Sequence, residues 1–158
     1  MLDVDNAAFI QTSVSISLAT CGVDHLPNLM RAVGCKLLDG GRRVGIFLNA
    51  TLAPALLADI RANRRVACVF CLPSSNRTLQ LKGEDAEVLP FDPADLPRIA
   101  EHLADFVVEV APEGVPESVV RTLFAYRPDA LVMVAFSPCA AFSQTPGPRA
   151  GQSIGGMP

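Results

Sequence analysis

The cations are the residues of this chain best placed to do chemistry. Residues 1–82 hold nine Lys/Arg against five Asp/Glu, and residues 83–158 hold four against eleven, within a net charge of −3. An anionic ligand therefore favours the N-terminal half. Arg31 stands in a strand-like segment with few other charges, which tilts it towards a phosphate ligand rather than a solvated strand arginine. Arg77 and Lys82 flank a second such segment and read equally as phosphate ligands or surface charges. Arg61, Arg64 and Arg65 gather at a helix end, where they balance the helix dipole and face solvent.

The other reactive types form no catalytic pattern. Cys68 and Cys71 make a C-x-x-C, but inside the apolar run Val66 to Leu72. A redox pair sits at a helix N-terminus, where the thiol pKa falls. In a strand the two thiols point to opposite faces and act as small hydrophobes. Five cysteines with no export signal read as free thiols, and no second Cys or His pair has zinc-ligand spacing. His25 lies in a turn and His102 on the polar flank of a helix, neither with an acid or nucleophile at a telling distance.

Composition bounds the function classes. Half the residues are hydrophobic and 18% are charged, which is globular and leaves apolar surface for an oligomer to hide. A chain of 158 residues suits one domain with its own core. No run of about 18 uncharged apolar residues is present, and the start Met1-Leu2-Asp3-Val4-Asp5 lacks a signal-peptide pattern, so no membrane partner and a cytoplasmic location are expected. An acidic chain with one Tyr, no Trp and no basic run beyond two residues is a poor nucleic-acid binder.

The pattern along the chain supplies the elements that must position the cations. Asp5-Asn6 caps a short helix reaching about Thr12. Residues 13–18 alternate as a half-buried strand, 28–38 form a second, Asp39-Gly40-Gly41 a hairpin turn, and 42–49 a third. A helix follows, with Thr51 as cap, Pro54 in its first turn and Asn63 as its left-handed end. Residues 65–72 form the fourth strand, and a fifth runs from Thr78 to about Leu89 with Gly83 a bulge or point of close approach. A long helix starts after Asp95, a shorter one spans 116–126, and 130–142 reads as a last buried strand. The Gly/Pro-rich tail 144–158 lies outside the domain formed by 1–143; it either closes over a cofactor or is a mobile end. The fold class is α+β, mainly β: an antiparallel barrel of about six strands with flanking helices.

Four segments in this order resemble the flavin-binding split-barrel family typified by pyridoxamine 5′-phosphate oxidase. They are Arg31-Ala32-Val33-Gly34-Cys35-Lys36, Phe47-Leu48-Asn49 ahead of a helix, Asp59 to Phe70, and Arg77-Thr78-Leu79-Gln80-Leu81-Lys82-Gly83. The resemblance covers about residues 9–90. It implies a split barrel that binds flavin mononucleotide (FMN) between two copies of the chain, and an oxidoreductase of unknown substrate. It implies that Arg31 contacts the FMN phosphate, that main-chain groups of Ala32 and Val33 face the ring, and that Lys36 faces the site if the strand twists or bulges near Gly34. Phe47 and Leu48 would wall the ring, Thr51 would offer a hydroxyl to the phosphate, and Thr78 or Gln80 would meet the ring edge. Where the family carries cations at the helix start, this chain reads Thr51-Leu52-Ala53-Pro54. The family's substrate-phosphate residues in the second half are also missing, so vitamin B6 oxidation is not implied. The alternative reading is a non-catalytic module for flavin, haem or another planar anion.

Overall fold

Three of the strands expected from the sequence are each two strands, divided between two sheets. A computed structural model describes residues 2–154. Among these, helix α1 (Val4–Phe9) precedes β1 (Ser15–Cys21), β2 (Pro27–Arg31), β3 (Gly34–Leu38) and β4 (Arg43–Asn49). Helix α2 (Pro54–Asn63), β5 (Val66–Leu72), β6 (Arg77–Gly83) and β7 (Glu87–Pro90) follow, then α3 (Leu96–Val110), α4 (Glu117–Leu123), β8 (Leu131–Phe136) and β9 (Ala140–Ser143). One antiparallel sheet has the order β2-β1-β5-β6-β9, the other β3-β4-β8-β7. The chain changes sheet directly at β2/β3, β6/β7 and β8/β9, and through α2 between β4 and β5, so the two sheets close as a barrel split at its corners.

Each corner has a physical cause that alternation does not reveal. The Ala32 amide donates to Ile16 O (2.9 Å) in the first sheet, and the next amide, of Val33, donates to Phe47 O (3.0 Å) in the second. The expected strand 28–38 therefore breaks between these two residues. Strand 78–89 breaks after Gly83, where an added Cβ would stand 2.5 Å from the Phe136 ring, so Gly83 is a point of close approach. The final run 130–142 breaks at Pro138, which has no N–H for a ladder. The last two corners are tied together by the Ser137 amide donating to Asp85 Oδ1 (2.8 Å). Partial burial pushes the Asp85 carboxyl up, but the Ser137 hydrogen bonds and the Arg43 charge outweigh it and hold the group below its ordinary value.

Helix ends also differ from expectation. Asp3, not Asp5 or Asn6, caps α1 by accepting from the Asn6 amide (2.8 Å), and α1 ends at Phe9. Helix α2 starts at Pro54 after a short 3-10 turn, and its left-handed end is Arg64, at φ 60°. Asn63 serves beside it, donating to Cys21 O (2.7 Å). Asp59 on α2 accepts from Thr20 Oγ1 and Asn28 Nδ2, both at 2.7 Å, and so clamps the β1–β2 hairpin. The 39–41 turn is as expected, with positive φ at Asp39, Gly40 and Gly41.

Two cores result. Ile16, Leu18, Ile46, Leu48, Phe70, Leu79 and Phe136 fill the barrel between the sheets. Phe47, Ile99, Phe106, Val120 and Phe124 form a second core, where α3 and α4 cover the outer face of the four-stranded sheet. Among the described residues the outward side chains of the five-stranded sheet are half-buried or exposed, and no helix covers that face. Residues 144–154 fold back on β9: Ser143 donates to Gln152 O (2.9 Å) and Ile154 to Ala141 O (2.9 Å). Among the described residues no helix is long and apolar enough to cross a membrane.

Candidate functional site

The uncovered sheet face collects part of the sequence-derived site. In an antiparallel sheet, directly opposed residues share a face. Arg31 opposes Ser17, Ser17 opposes Val69, Val69 opposes Gln80, and Gln80 opposes Phe142. This row crosses the whole sheet on its outer side. The next places are Ser15, Cys71 and Thr78 on one flank and Leu29, Ala19, Ala67 and Lys82 on the other. The middle of the face is therefore small side chains, with Arg31 at one rim and Gln80 three strands away, about 14 Å at ordinary strand spacing.

The rim groups are held in place. Arg31 Nη1 donates to Ser15 Oγ (2.6 Å), and its guanidinium lies 5.5 Å from the Phe124 ring centre. Its other N–H groups have no partner among the described residues, so most of its fork stays open to an anion. Gln80 accepts from Gln144 Nε2 (3.3 Å), which leaves the Gln80 amide N–H groups free to meet a carbonyl edge. Thr78 is more committed: its hydroxyl donates to Asn76 O (3.0 Å) and its amide to Thr145 Oγ1 (2.9 Å).

The remaining sequence-derived residues do not join this face. Lys36 lies on the outer face of the other sheet, because the chain has changed sheets rather than bulged at Gly34. It pairs with Asp95 at the start of α3 and lies 5.9 Å from the Phe47 ring centre. Phe47 is fully buried, edge-on to Phe91 at 5.3 Å, and Leu48 is fully buried inside the barrel, so neither is an exposed wall. Ala32 and Val33 are buried with their amides spent at the corner. Thr51 gives both its hydroxyl (2.7 Å) and its amide (3.1 Å) to Asn49 Oδ1, so it has no donor left for a phosphate. Sequence reasoning missed Phe124 beside Arg31, which approaches from a distant segment, whereas Gln144 beside Gln80 opens the tail for which closing over a cofactor is one of two expectations.

No protein-family model matches the sequence, and no curated protein matches it. The fold does match solved structures. HupZ of Group A Streptococcus aligns at TM-score 0.57 and 14% identity over 96% of this chain and 100% of that one. A putative pyridoxamine 5′-phosphate oxidase from Lactobacillus delbrueckii aligns at TM-score 0.54 and 15% identity, over 89% and 93% of the two chains. The chain has the pyridoxamine 5′-phosphate oxidase-like split-barrel fold. An F420 reductase shares this split barrel at TM-score 0.52 and 16% identity, over 85% and 93% of the chains. Within the split barrel, this chain sets a helical layer over one sheet and leaves the other open.

Proposed function

We propose that the open sheet face binds a flavin, FMN in particular, and that a second copy of the chain covers it to form a homodimer acting as an oxidoreductase on a small molecule. The observation that carries the reading is the Arg31–Ser17–Val69–Gln80 row. It sets a guanidinium fork at one end, an amide at the other, and a shallow floor of small side chains between. That suits a long, flat ligand with an anionic tail and a polar ring edge. The solved split barrels named as an oxidase and a reductase support the same reading.

The residues present fit that group unevenly. Arg31 would hold the phosphate alone, since Thr51 is spent on Asn49 and Pro54 removes a donor at the start of α2. Gln80 would orient the ring, and Val69 and Ala67 would exclude water beneath it. A bound flavin supplies the hydride chemistry; the chain supplies orientation and electrostatics. The second reading, a binding module without catalysis, is favoured by one observation: the sheet positions of this face carry no His, Asp or Glu to move a proton.

The test compares FMN with riboflavin, which lacks the phosphate. Losing one charge-assisted contact costs roughly 1.5–3 kcal/mol, so Arg31→Ala should weaken FMN about ten- to a hundredfold and riboflavin far less. Arg31→Lys keeps charge without the fork and should fall between. Equal losses for both flavins would remove Arg31 from the site. Reduction of the bound flavin by a nicotinamide nucleotide would favour the enzyme over the module.

A further inference from the structure

We infer that a second ligand site lies away from the open face, in the cleft between the start of β6 and residues 145–154, and that it takes a phosphate monoester on Arg77 and Arg149. The cleft has a volume of about 590 Å³, within the range of small-molecule sites. Its lining includes two arginines together with Ser143, Gln152 and Ser153, and no carboxylate. The cleft itself therefore carries positive charge, with Asp5 and Glu109 bordering a neighbouring pocket on the other side of Arg77.

Both arginines are available. Lys36, Arg43, Arg65, Arg98, Arg121 and Arg127 are all ion-paired. Arg77 and Arg149 have no carboxylate partner among the described residues. Arg77 is fixed without being consumed: its guanidinium lies 4.0 Å from the Phe9 ring centre, and it donates to Asn6 Oδ1 (3.2 Å). A guanidinium has five N–H donors, so the rest of the fork is unspent. The wall carrying Arg149 is also fixed. Gly151 donates to Ser143 O (2.6 Å) and Ala150 to Gly147 O (3.0 Å), while Pro146 and Pro148 stiffen the loop. Preorganised donors lose less on binding.

The ligand class follows from the donors. Two arginine forks match a carboxylate or a phosphate. With Ser143, Ser153 and Gln152 also bordering the cleft, the three terminal oxygens of a phosphate monoester offer more acceptors than the two of a carboxylate. The site is separate from the flavin face: Thr78 and Gln80 alternate outward on β6, whereas Arg77 turns to the side of α1 and Phe9.

Titration calorimetry with inorganic phosphate at constant ionic strength tests this. One saturable phosphate per chain is expected, with acetate much weaker. Arg149→Gln should weaken phosphate about ten- to a hundredfold, and Arg77→Gln similarly. Arg42→Gln, at an exposed position outside the cleft, should leave it unchanged. Because Arg77 also packs on Phe9, its variant can loosen α1; Arg149 touches no such partner, so Arg149→Gln decides. Saturating riboflavin should not alter phosphate affinity. Absence of saturable binding, wild-type affinity in Arg149→Gln, acetate binding as tightly as phosphate, or competition by riboflavin would each overturn the proposal.

Discussion

His102 shows how the structure decides between two sequence readings of one side chain, a surface residue and a structural one. Its place on the polar flank of α3 suggests a surface or structural residue. In the structure it stacks on Phe106, with ring centres 6.4 Å apart, and lines a small polar cavity with Cys35, Arg98, Glu101 and Asp105. Its Nε2 is buried with no partner among the described residues. Burial lowers its pKa below 6.5, and the Asp105 charge and the Thr12 backbone only partly restore it. A histidine held neutral in the fold contributes stability that is whole above about pH 6.5, where the unfolded chain is also neutral. That contribution is lost as pH falls through the lowered folded value. Thermal unfolding from pH 7.5 down to pH 5 should therefore show a steeper loss in the wild type than in His102→Gln. Cys35, Arg98, Glu101 and Asp105 remain in both proteins, so the difference isolates the imidazole. Parallel curves would show that His102 does not titrate against a buried setting.

At the scale of elements, the period of the apolar pattern was legible and the corners were not. Ser15 to Thr20 alternates between half-buried and buried, the period that the sequence shows over 13–18, although the strand starts and ends later than expected. Asp39-Gly40-Gly41 needs positive φ, which its residue types announce. At the β2/β3 corner, by contrast, the apolar pattern runs on while the hydrogen-bond partner changes sheet, and the partner is not a local property. Ion pairing was hidden for the same reason: Lys36 meets Asp95 across 59 positions. Of the sheet-changing corners, only Gly83 carries a residue type that marks close approach. An added methyl there would meet the Phe136 ring at 2.5 Å and its Cβ at 3.1 Å. Overpacking of this kind costs typically 1–3 kcal/mol. Gly83→Ala should lower the unfolding free energy by that amount, read as a lower urea midpoint at unchanged slope, and Gly83→Ala with Phe136→Leu should regain part of it. A Gly83→Ala protein as stable as the wild type would mean that the ring shifts freely and the corner is slack.

For the whole molecule, the open face and its surroundings point to self-association. Leu29 and Leu52 are 71% and 61% exposed beside it, with Val23 and Leu26 exposed at the hairpin tip. The proposed homodimer would bury about 2,000 Å² or more, and these exposed side chains would contribute to that area. Light scattering at micromolar concentration should give twice the chain mass, and Leu29→Asp should shift it towards one. A monomer mass for the wild type would leave the open face uncovered and the two-copy flavin site without support. The corner at Ala32 and Val33 bears on this in another way. Two consecutive amides are tied to different sheets, so neither sheet can detach without breaking a bond of the other. The four sheet-changing connections act as stitches, and the barrel should open as one cooperative unit rather than sheet by sheet. The amide protons of Ala32 and Val33 would then exchange with solvent through the same global event, although they belong to opposite walls.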